Sequence, residues 1–450
     1  MQGPVKCYNP GVPDEDFRRE LSRRRELVRQ HIGDGVLVVP SAPTTLRNND
    51  VEHEYRQSSD FFYLTGFEEP SSVLVLRGGK PDGYTLFVRR RDPEREIWDG
   101  RRAGTEGAIA KYGADAAFTI DELDQKLPEL LEDVTRLYYC LGVQRDFDER
   151  VLRVIERMRA RGRSGAEWPT EIVDPRTVLH EARLEKSEHE LGRMRRAAEI
   201  TAAAHTAAMR AARPGMYEYE IEALLFAHFR REGSQRVAYP SIVGSGPNAT
   251  ILHYRENDRR MQDGDLLLID AGAEYGYYAA DVTRTFPVNG KFSPAQRAIY
   301  QIVLDSQLAA IDASRPGRTL EDVHEVASRV IAEGLIALGL VSGSVDEVIE
   351  EKRLKPYYMH RTSHWLGMDV HDVGRYQKSG KPRLLEPGMV LTVEPGIYVA
   401  EDDPTAPPEF RGIGVRIEDD VVVTSGEPEV MTAACPKTIA EVEAACAGGR

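Results

Sequence analysis

Asp265-Leu-Leu-Leu-Ile-Asp270, followed by Ala271-Gly-Ala-Glu-Tyr-Gly-Tyr-Tyr-Ala-Ala280 and Asp281-Val-Thr-Arg-Thr-Phe286, is the stretch whose reading decides the fold. Two apolar segments flank a glycine, which is the pattern of a β-hairpin. A turn at Tyr275-Gly276 sets Asp270 opposite Asp281, with Cβ atoms roughly 4.5–5.5 Å apart. Two carboxylates that close repel unless positive charge lies between them. A pair of divalent cations about 3.5–4 Å apart is one such arrangement.

The pattern returns later in the chain. Met389-Val-Leu-Thr-Val-Glu394 is a second apolar run ending in a carboxylate. Gly414-Val-Arg-Ile-Glu418 alternates with period two, so Arg416 and Glu418 share a side. An arginine there keeps a ligand carboxylate ionised and oriented, and Thr283 offers a hydroxyl near Asp281. Three of the eleven histidines, His360, His364 and His371, fall within twelve residues, and His253 lies in Ile251-Leu-His-Tyr-Arg255. Asp270, Asp281, His364, Glu394 and Glu418 together supply four carboxylates and one imidazole, a donor set for two hard or borderline divalent cations sharing a water. Spacing alone does not separate a ligand role from a substrate role among the histidines.

These phrases occur in an ordered series. It includes Tyr239-Pro-Ser-Ile-Val-Gly-Ser-Gly246, Ser363-His-Trp-Leu-Gly-Met-Asp-Val-His-Asp-Val-Gly374, Glu394-Pro-Gly-Ile-Tyr398 and Gly412-Ile-Gly-Val-Arg-Ile-Glu-Asp-Asp420. Tyr55-Arg-Gln-Ser-Ser-Asp-Phe-Phe-Tyr-Leu-Thr-Gly-Phe67 and Glu96-Ile-Trp-Asp-Gly-Arg-Arg102 extend it into the N-terminal half. The series resembles the bacterial aminopeptidase P family, within the superfamily of methionine aminopeptidases, prolidases and creatinases. The resemblance implies a C-terminal pita-bread domain with a dinuclear metal site, usually manganese. It implies release of the N-terminal residue from peptides with proline in second place.

By the same resemblance Asp270, Asp281, His364, Glu394 and Glu418 fall on the metal ligands. His253, His360 and His371 fall on active-site histidines, Arg416 and Tyr398 near the metals, and Tyr239 in the pocket. Glu394 is the candidate for moving the nucleophile's proton. His253 and His371 suit the developing oxyanion, and His360 and Tyr239 the proline pocket. Trp98 is expected to line substrate or an interface, in an oligomer whose N-terminal domain narrows a neighbour's cleft. One departure stands out: Arg361-Thr362 follows His360 where the family often has glycine. Carboxylate-rich ligation favours manganese, with cobalt or zinc as alternatives.

The organisation reads as an α/β (α+β) chain of two domains, a mixed domain over 1–175 and a catalytic domain over 176–450. In the first, 35–40, 72–76 and 84–88 read as strands, and 15–31 and 146–161 as helices. The second opens on an alanine-rich helix from Lys186 to Arg213 and is internally doubled. Helix, Arg-Pro-Gly, helix, turn, apolar strand and carboxylate occur once around Arg213-Pro-Gly215 and again around Arg315-Pro-Gly317. A pseudo-twofold pairing of the halves brings the carboxylates together.

Composition sets the remaining expectations. A net charge of −14 argues against nucleic acid as partner. The runs Arg23–Arg25 and Arg89–Arg91 read as solvated faces or subunit contacts. Cys7, Cys140, Cys435 and Cys446 lack metal-type spacing, so a reducing, cytoplasmic compartment is expected. The start through Cys7 lacks the apolar core of a signal peptide, and no apolar run is of membrane-spanning length. The expected partners are Xaa-Pro peptides and further copies of the chain, as a dimer or tetramer. An Xaa-Pro dipeptidase (prolidase) is the nearest alternative. A metal-free creatinase-like amidinohydrolase and a non-enzymatic binding module are weaker ones, since the ligand set is intact.

Overall fold

The computed structural model describes residues 13–165 and 167–448, which divide between residues 182 and 183 into two compact units. Cys7 and the stretch leading to it lie outside the described residues. Cys140, Cys435 and Cys446 are free thiols.

In the first unit the three apolar runs form the strands Val36–Pro40, Val73–Arg77 and Tyr84–Val88. They are antiparallel neighbours at the centre of a six-stranded sheet. Parallel strands extend it on both sides: Ala116–Thr119 beside Tyr84–Val88, and Arg136–Tyr138 then Glu171–Val173 beside Val36–Pro40. Val36, Val38, Val73 and Val75 pack against Val151 and Val154 of the helix Arg145–Ala160. Burial along almost every residue of the central strands fits a sheet covered on both faces.

The helix Glu15–Ile32 corrects one expectation. Arg24 and Arg25 do not lie on a solvated face; both are buried. Arg24 Nε donates to Glu20 at 2.9 Å. The two guanidinium groups sit 4.3 and 4.1 Å from the ring centres of Tyr63 and Tyr84, and donate to the carbonyls of Tyr63 and Leu64. Buried arginine is tolerated where donors are met and a ring face accepts the charge.

The second unit repeats its elements in order. The helix Glu188–Ala211, capped reciprocally by Ser187 and Glu190, leads through Arg213-Pro-Gly215 to the helix Glu218–Arg231 and then to a hairpin over 266–287. The helix Pro294–Ala313 leads through Arg315-Pro-Gly317 to the helix Leu320–Ala337 and then to a hairpin over 390–422. The tie between each turn and its hairpin also repeats. Gly215 N donates to Met261 O at 2.8 Å, and Gly317 N to Leu385 O at 3.0 Å. Bridges pair Tyr217 with Arg260 and Thr319 with Leu384.

Each hairpin has an outer and an inner ladder, with the carboxylates at the junction. In the first, Leu266–Asp270 pairs with Thr283–Pro287, and Ala273–Tyr275 with Tyr278–Ala279. In the second, Val390–Val393 pairs with Asp419–Val422, and Gly396–Tyr398 with Gly414–Arg416.

The first hairpin turns one residue later than the sequence reading places it. Gly276 and Tyr277 carry φ of 57° and 72°, and Asp270 stands opposite Thr283, not Asp281. A two-residue turn of this kind needs positive φ at both central positions. Glycine takes one freely; its partner is fixed by packing. Gly276 N donates to Gln235 Oε1 at 2.8 Å, its carbonyl accepts from Arg193 at 2.9 Å, and Tyr277 is buried. The same register puts Asp281 opposite Gly272, where a Cβ would lie 1.8 Å from the Ala280 carbonyl oxygen. In the second hairpin the register that pairs Val393 with Asp419 and Gly396 with Arg416 sets Glu394 directly opposite Glu418.

Candidate metal centre

Asp270, Asp281, His364, Glu394 and Glu418 all line one cavity of about 570 Å³ in the second unit. Asp281, His364 and Glu418 present ligand atoms within 4.8 Å of one another. His364 Nε2 lies 3.4 Å from Asp281 Oδ2 and 3.5 Å from Glu394 Oε1. The Tyr239 hydroxyl is 2.6 Å from Asp270 Oδ1 and also within hydrogen-bond reach of Asp281 Oδ1. One hydroxyl proton cannot satisfy two carboxylates, so this cluster is short of positive charge.

The protonation of these groups tells the same story. Burial and then neighbouring carboxylates raise Glu418 well above its ordinary range. Burial also raises Asp270, against the pull of Arg416. Burial pushes Glu394 up to about 7, with His364 and Arg416 opposing. Burial acts to lower His364, but Asp281 and Glu394 outweigh it and bring the imidazole to about 9. The cluster holds protons that divalent cations would displace, which is the behaviour of a metal donor set. His364 Nδ1 donates to the Trp365 carbonyl at 3.0 Å, which leaves Nε2 for coordination.

Arg416 ties the centre together. Its Nη2 donates to Asp270 Oδ2 at 2.6 Å, Nε to Thr283 Oγ1 at 3.0 Å and Nη1 to the Tyr398 hydroxyl at 2.9 Å. Thr283 in turn donates to Glu418 Oε2 at 2.6 Å, so its hydroxyl serves Glu418 and not Asp281. Tyr398 stands 2.9 Å from His360 Nε2, while His360 Nδ1 is held at 2.8 Å by the Arg361 carbonyl. Burial, with help from Arg416, lowers His360 to about 3 and keeps its ring neutral. His253 and His371 are exposed on the cavity wall, and the His371 ring lies 4.4 Å from that of His364. Trp98 sits in the first unit on the helix Pro93–Asp99, 84% exposed beside Ile97 at 80%.

Several contributors escaped the sequence reading. Asp420 is buried and accepts from the Asp281 backbone N–H at 3.1 Å, fixing that residue from behind. Thr392 Oγ1 donates to Glu394 Oε1 at 3.3 Å and accepts from His364 N–H at 3.1 Å. His324 lines the cavity from the helix Leu320–Ala337, far from any histidine cluster in sequence. Asp420 alone had a signal, its place directly after the Glu418-Asp419 pair.

Comparison with known proteins fits this geometry. The model of metallopeptidase family M24 matches residues 192–425, and that of the aminopeptidase P N-terminal domain matches residues 21–138. The Xaa-Pro aminopeptidase of Escherichia coli (strain K12) is 47% identical over 439 residues, covering 97% of this chain and 99% of the relative. Xaa-Pro aminopeptidase 3 of Homo sapiens is 36% identical over 453 residues, covering 97% and 87%. Among solved structures, Pseudomonas aeruginosa aminopeptidase PepP matches with a TM-score of 0.95 at 53% identity, covering 96% of this chain and 98% of that one.

Proposed function

The chain belongs to metallopeptidase family M24 and is an Xaa-Pro aminopeptidase; from that premise we propose that Asp270, Asp281, His364, Glu394 and Glu418 hold two divalent cations, manganese in the cell. The observation that carries the reading is the convergence of four carboxylates and one imidazole in a single cavity whose buried acids are displaced toward protonation. Oxygen-rich ligation supports manganese over zinc, with cobalt or zinc able to substitute. When bound, such ions polarise the scissile carbonyl and bring the pKa of water toward neutrality.

The chain's own residues do the rest. Glu394 takes up and returns the nucleophile's proton, a task suited to a carboxyl near neutral pKa. His253 and His371, free on the wall, donate to the carbonyl oxygen as charge develops there. Arg416 holds Asp270 ionised and, through Tyr398, keeps His360 in place. His360 and Tyr239, with Ile242 and Leu252 on the same wall, shape the slot for a proline ring. Proline brings no N–H, so this slot needs apolar contact and no acceptor for that nitrogen. The exposed pair Ile97 and Trp98 supports a homo-oligomer, dimer or tetramer, with this helix at an interface. A reducing, cytoplasmic setting is supported by Cys140, Cys435 and Cys446, free thiols among the described residues. No helix among the described residues is long and apolar enough to cross a membrane, and the charge of −14 gives nucleic acid no attractive field.

Mass spectrometry of Xaa-Pro peptides of graded length, with chelator and after manganese return, tests this reading. Release of the first residue only, lost on chelation and restored with two ions per chain, is expected. Turnover that survives complete metal removal would sink the metal assignment, and cleavage restricted to dipeptides would restore prolidase. Trp98→Ala with unchanged assembly and activity would end the interface role.

A further inference from the structure

The metal cavity shares part of its wall with a second cavity. Glu321 and His324, one turn apart on the helix Leu320–Ala337, line both the cavity of about 570 Å³ and a neighbour of about 460 Å³. Arg361 reaches the same junction, its Nη2 3.4 Å from Glu321 Oε1. Its carbonyl meanwhile holds His360 Nδ1, so Arg361 links His360 to the Glu321 wall that the two cavities share. Thr362, bonded at 2.8 Å to His324 Nδ1 and also to the Tyr358 hydroxyl, joins the two walls.

The lining of the second cavity has a definite chemistry. Ile349, Leu354 and Met359 contribute apolar surface, Lys352 and Lys355 two ammonium groups, and Glu321 and Glu325 two carboxylates that already face Arg361 and Arg329 at 3.4 and 4.0 Å. Both lysines are exposed, and among the described residues neither ammonium has an ion-pair partner. An apolar floor with two uncommitted cations complements a short peptide segment that ends in or carries a carboxylate. The direction of travel also fits. The substrate's amino end must lie at the metal ligands, so residues after proline run outward. Three residues beyond it span roughly 10 Å in extended form.

We propose that the second cavity binds the leaving peptide from the second residue after proline onward, beyond the reach of a tripeptide, with Lys352 and Lys355 taking a carboxylate there. That carboxylate is either the free C-terminus of a short peptide or an acidic side chain. The inference rests on the aminopeptidase reading, since a dipeptidase has no leaving peptide to place.

The test uses the manganese-loaded full chain and four substrates. These are an Xaa-Pro-Ala tripeptide, a neutral Xaa-Pro hexapeptide with free C-terminus, its C-terminal amide, and the amide carrying a glutamate beyond proline. The variants are Lys352→Glu combined with Lys355→Glu, and Glu325→Trp, which places a bulky ring on the same wall. Charge reversal should raise KM about three- to tenfold for hexapeptides bearing a carboxylate, with kcat unchanged. The free-acid and glutamate forms then distinguish the two sources. Glu325→Trp should raise KM for all three hexapeptides, and neither variant should alter the tripeptide. Wild-type KM for every hexapeptide in both variants would overturn the proposal, as would a parallel loss on the tripeptide. Failure of the unmutated enzyme on the tripeptide would instead count against the parent reading.

Discussion

Where the hairpin over 266–287 sets Asp270 opposite Thr283, the hairpin over 390–422 sets Glu394 opposite Glu418. Laid on one register, Asp281 takes the position of Arg416, and Gly272 that of Gly396. The same backbone plan therefore carries a carboxylate in one half where the other carries a guanidinium, and a hydroxyl where the other carries a carboxylate. The contacts cross between halves: Arg416 reaches Asp270, and Thr283 reaches Glu418. The duplicated ladders supply the cradle, and divergence at two positions makes the copies complementary. Neither hairpin alone balances its own charge.

The strongest challenge to this pairing is Glu418→Gln, which keeps shape and removes charge. We expect fewer than two bound ions per chain and a fall in kcat/KM of roughly a thousandfold or more, about 4 kcal/mol of barrier. Metal analysis and Xaa-Pro turnover would read both, and wild-type values would break the assignment of a ligand to the second hairpin. Arg284 makes the other cross-tie, away from the cavity. It is wholly buried, donating to Asp419 at 2.7 Å and to the Glu418 carbonyl at 2.6 Å. Arg284→Ala takes one of two cations from the buried Asp419 carboxylate, leaving Lys437 at 2.7 Å, and should cost about 3 kcal/mol of stability in denaturant titration.

Metal removal should sharpen the comparison through pH. Glu394 raised to about 7, with Asp270 and Glu418 also raised, binds protons in the folded state that the unfolded chain has released. Stability then falls as pH climbs from the ordinary carboxylate range through 7. His364, raised to about 9, stabilises below its unfolded value and loses that contribution as pH rises through 9. Both effects share a sign, and the lowered His360 opposes them only below the ordinary histidine range, so the metal-free protein should lose roughly 1–3 kcal/mol between pH 6.5 and 9. The manganese-loaded protein should not show this loss, because its ligands are already deprotonated. A metal-free melting temperature that rises across this range would refute the carboxylate reading. The smallest effect is expected from Thr283→Val, which leaves Glu418 without its 2.6 Å donor. It should weaken manganese binding about 10- to 100-fold, measured by competition with a chelator.

Most of the proposed ligands were legible because they close a short apolar run or sit in a dense histidine phrase, features confined to a few neighbouring residues. The doubled Arg-Pro-Gly punctuation was legible for the same reason. The turn at Gly276-Tyr277 was not, since either neighbour of a glycine can share its turn and the choice is made by Arg193 and Gln235, tens of residues away. Arg24 and Arg25 read as solvated because charge usually is; their burial depends on Tyr63 and Tyr84 arriving from distant strands and helices. His324 and Asp420 are single residues whose meaning comes only from what folds against them.

The centre draws on strands separated by more than a hundred residues, and Glu418 is the last of its contributors to leave the ribosome. A nascent chain that has made only Asp270 and Asp281 owns half a cradle and no answering arginine. The donor set is therefore complete only once the second hairpin has been made.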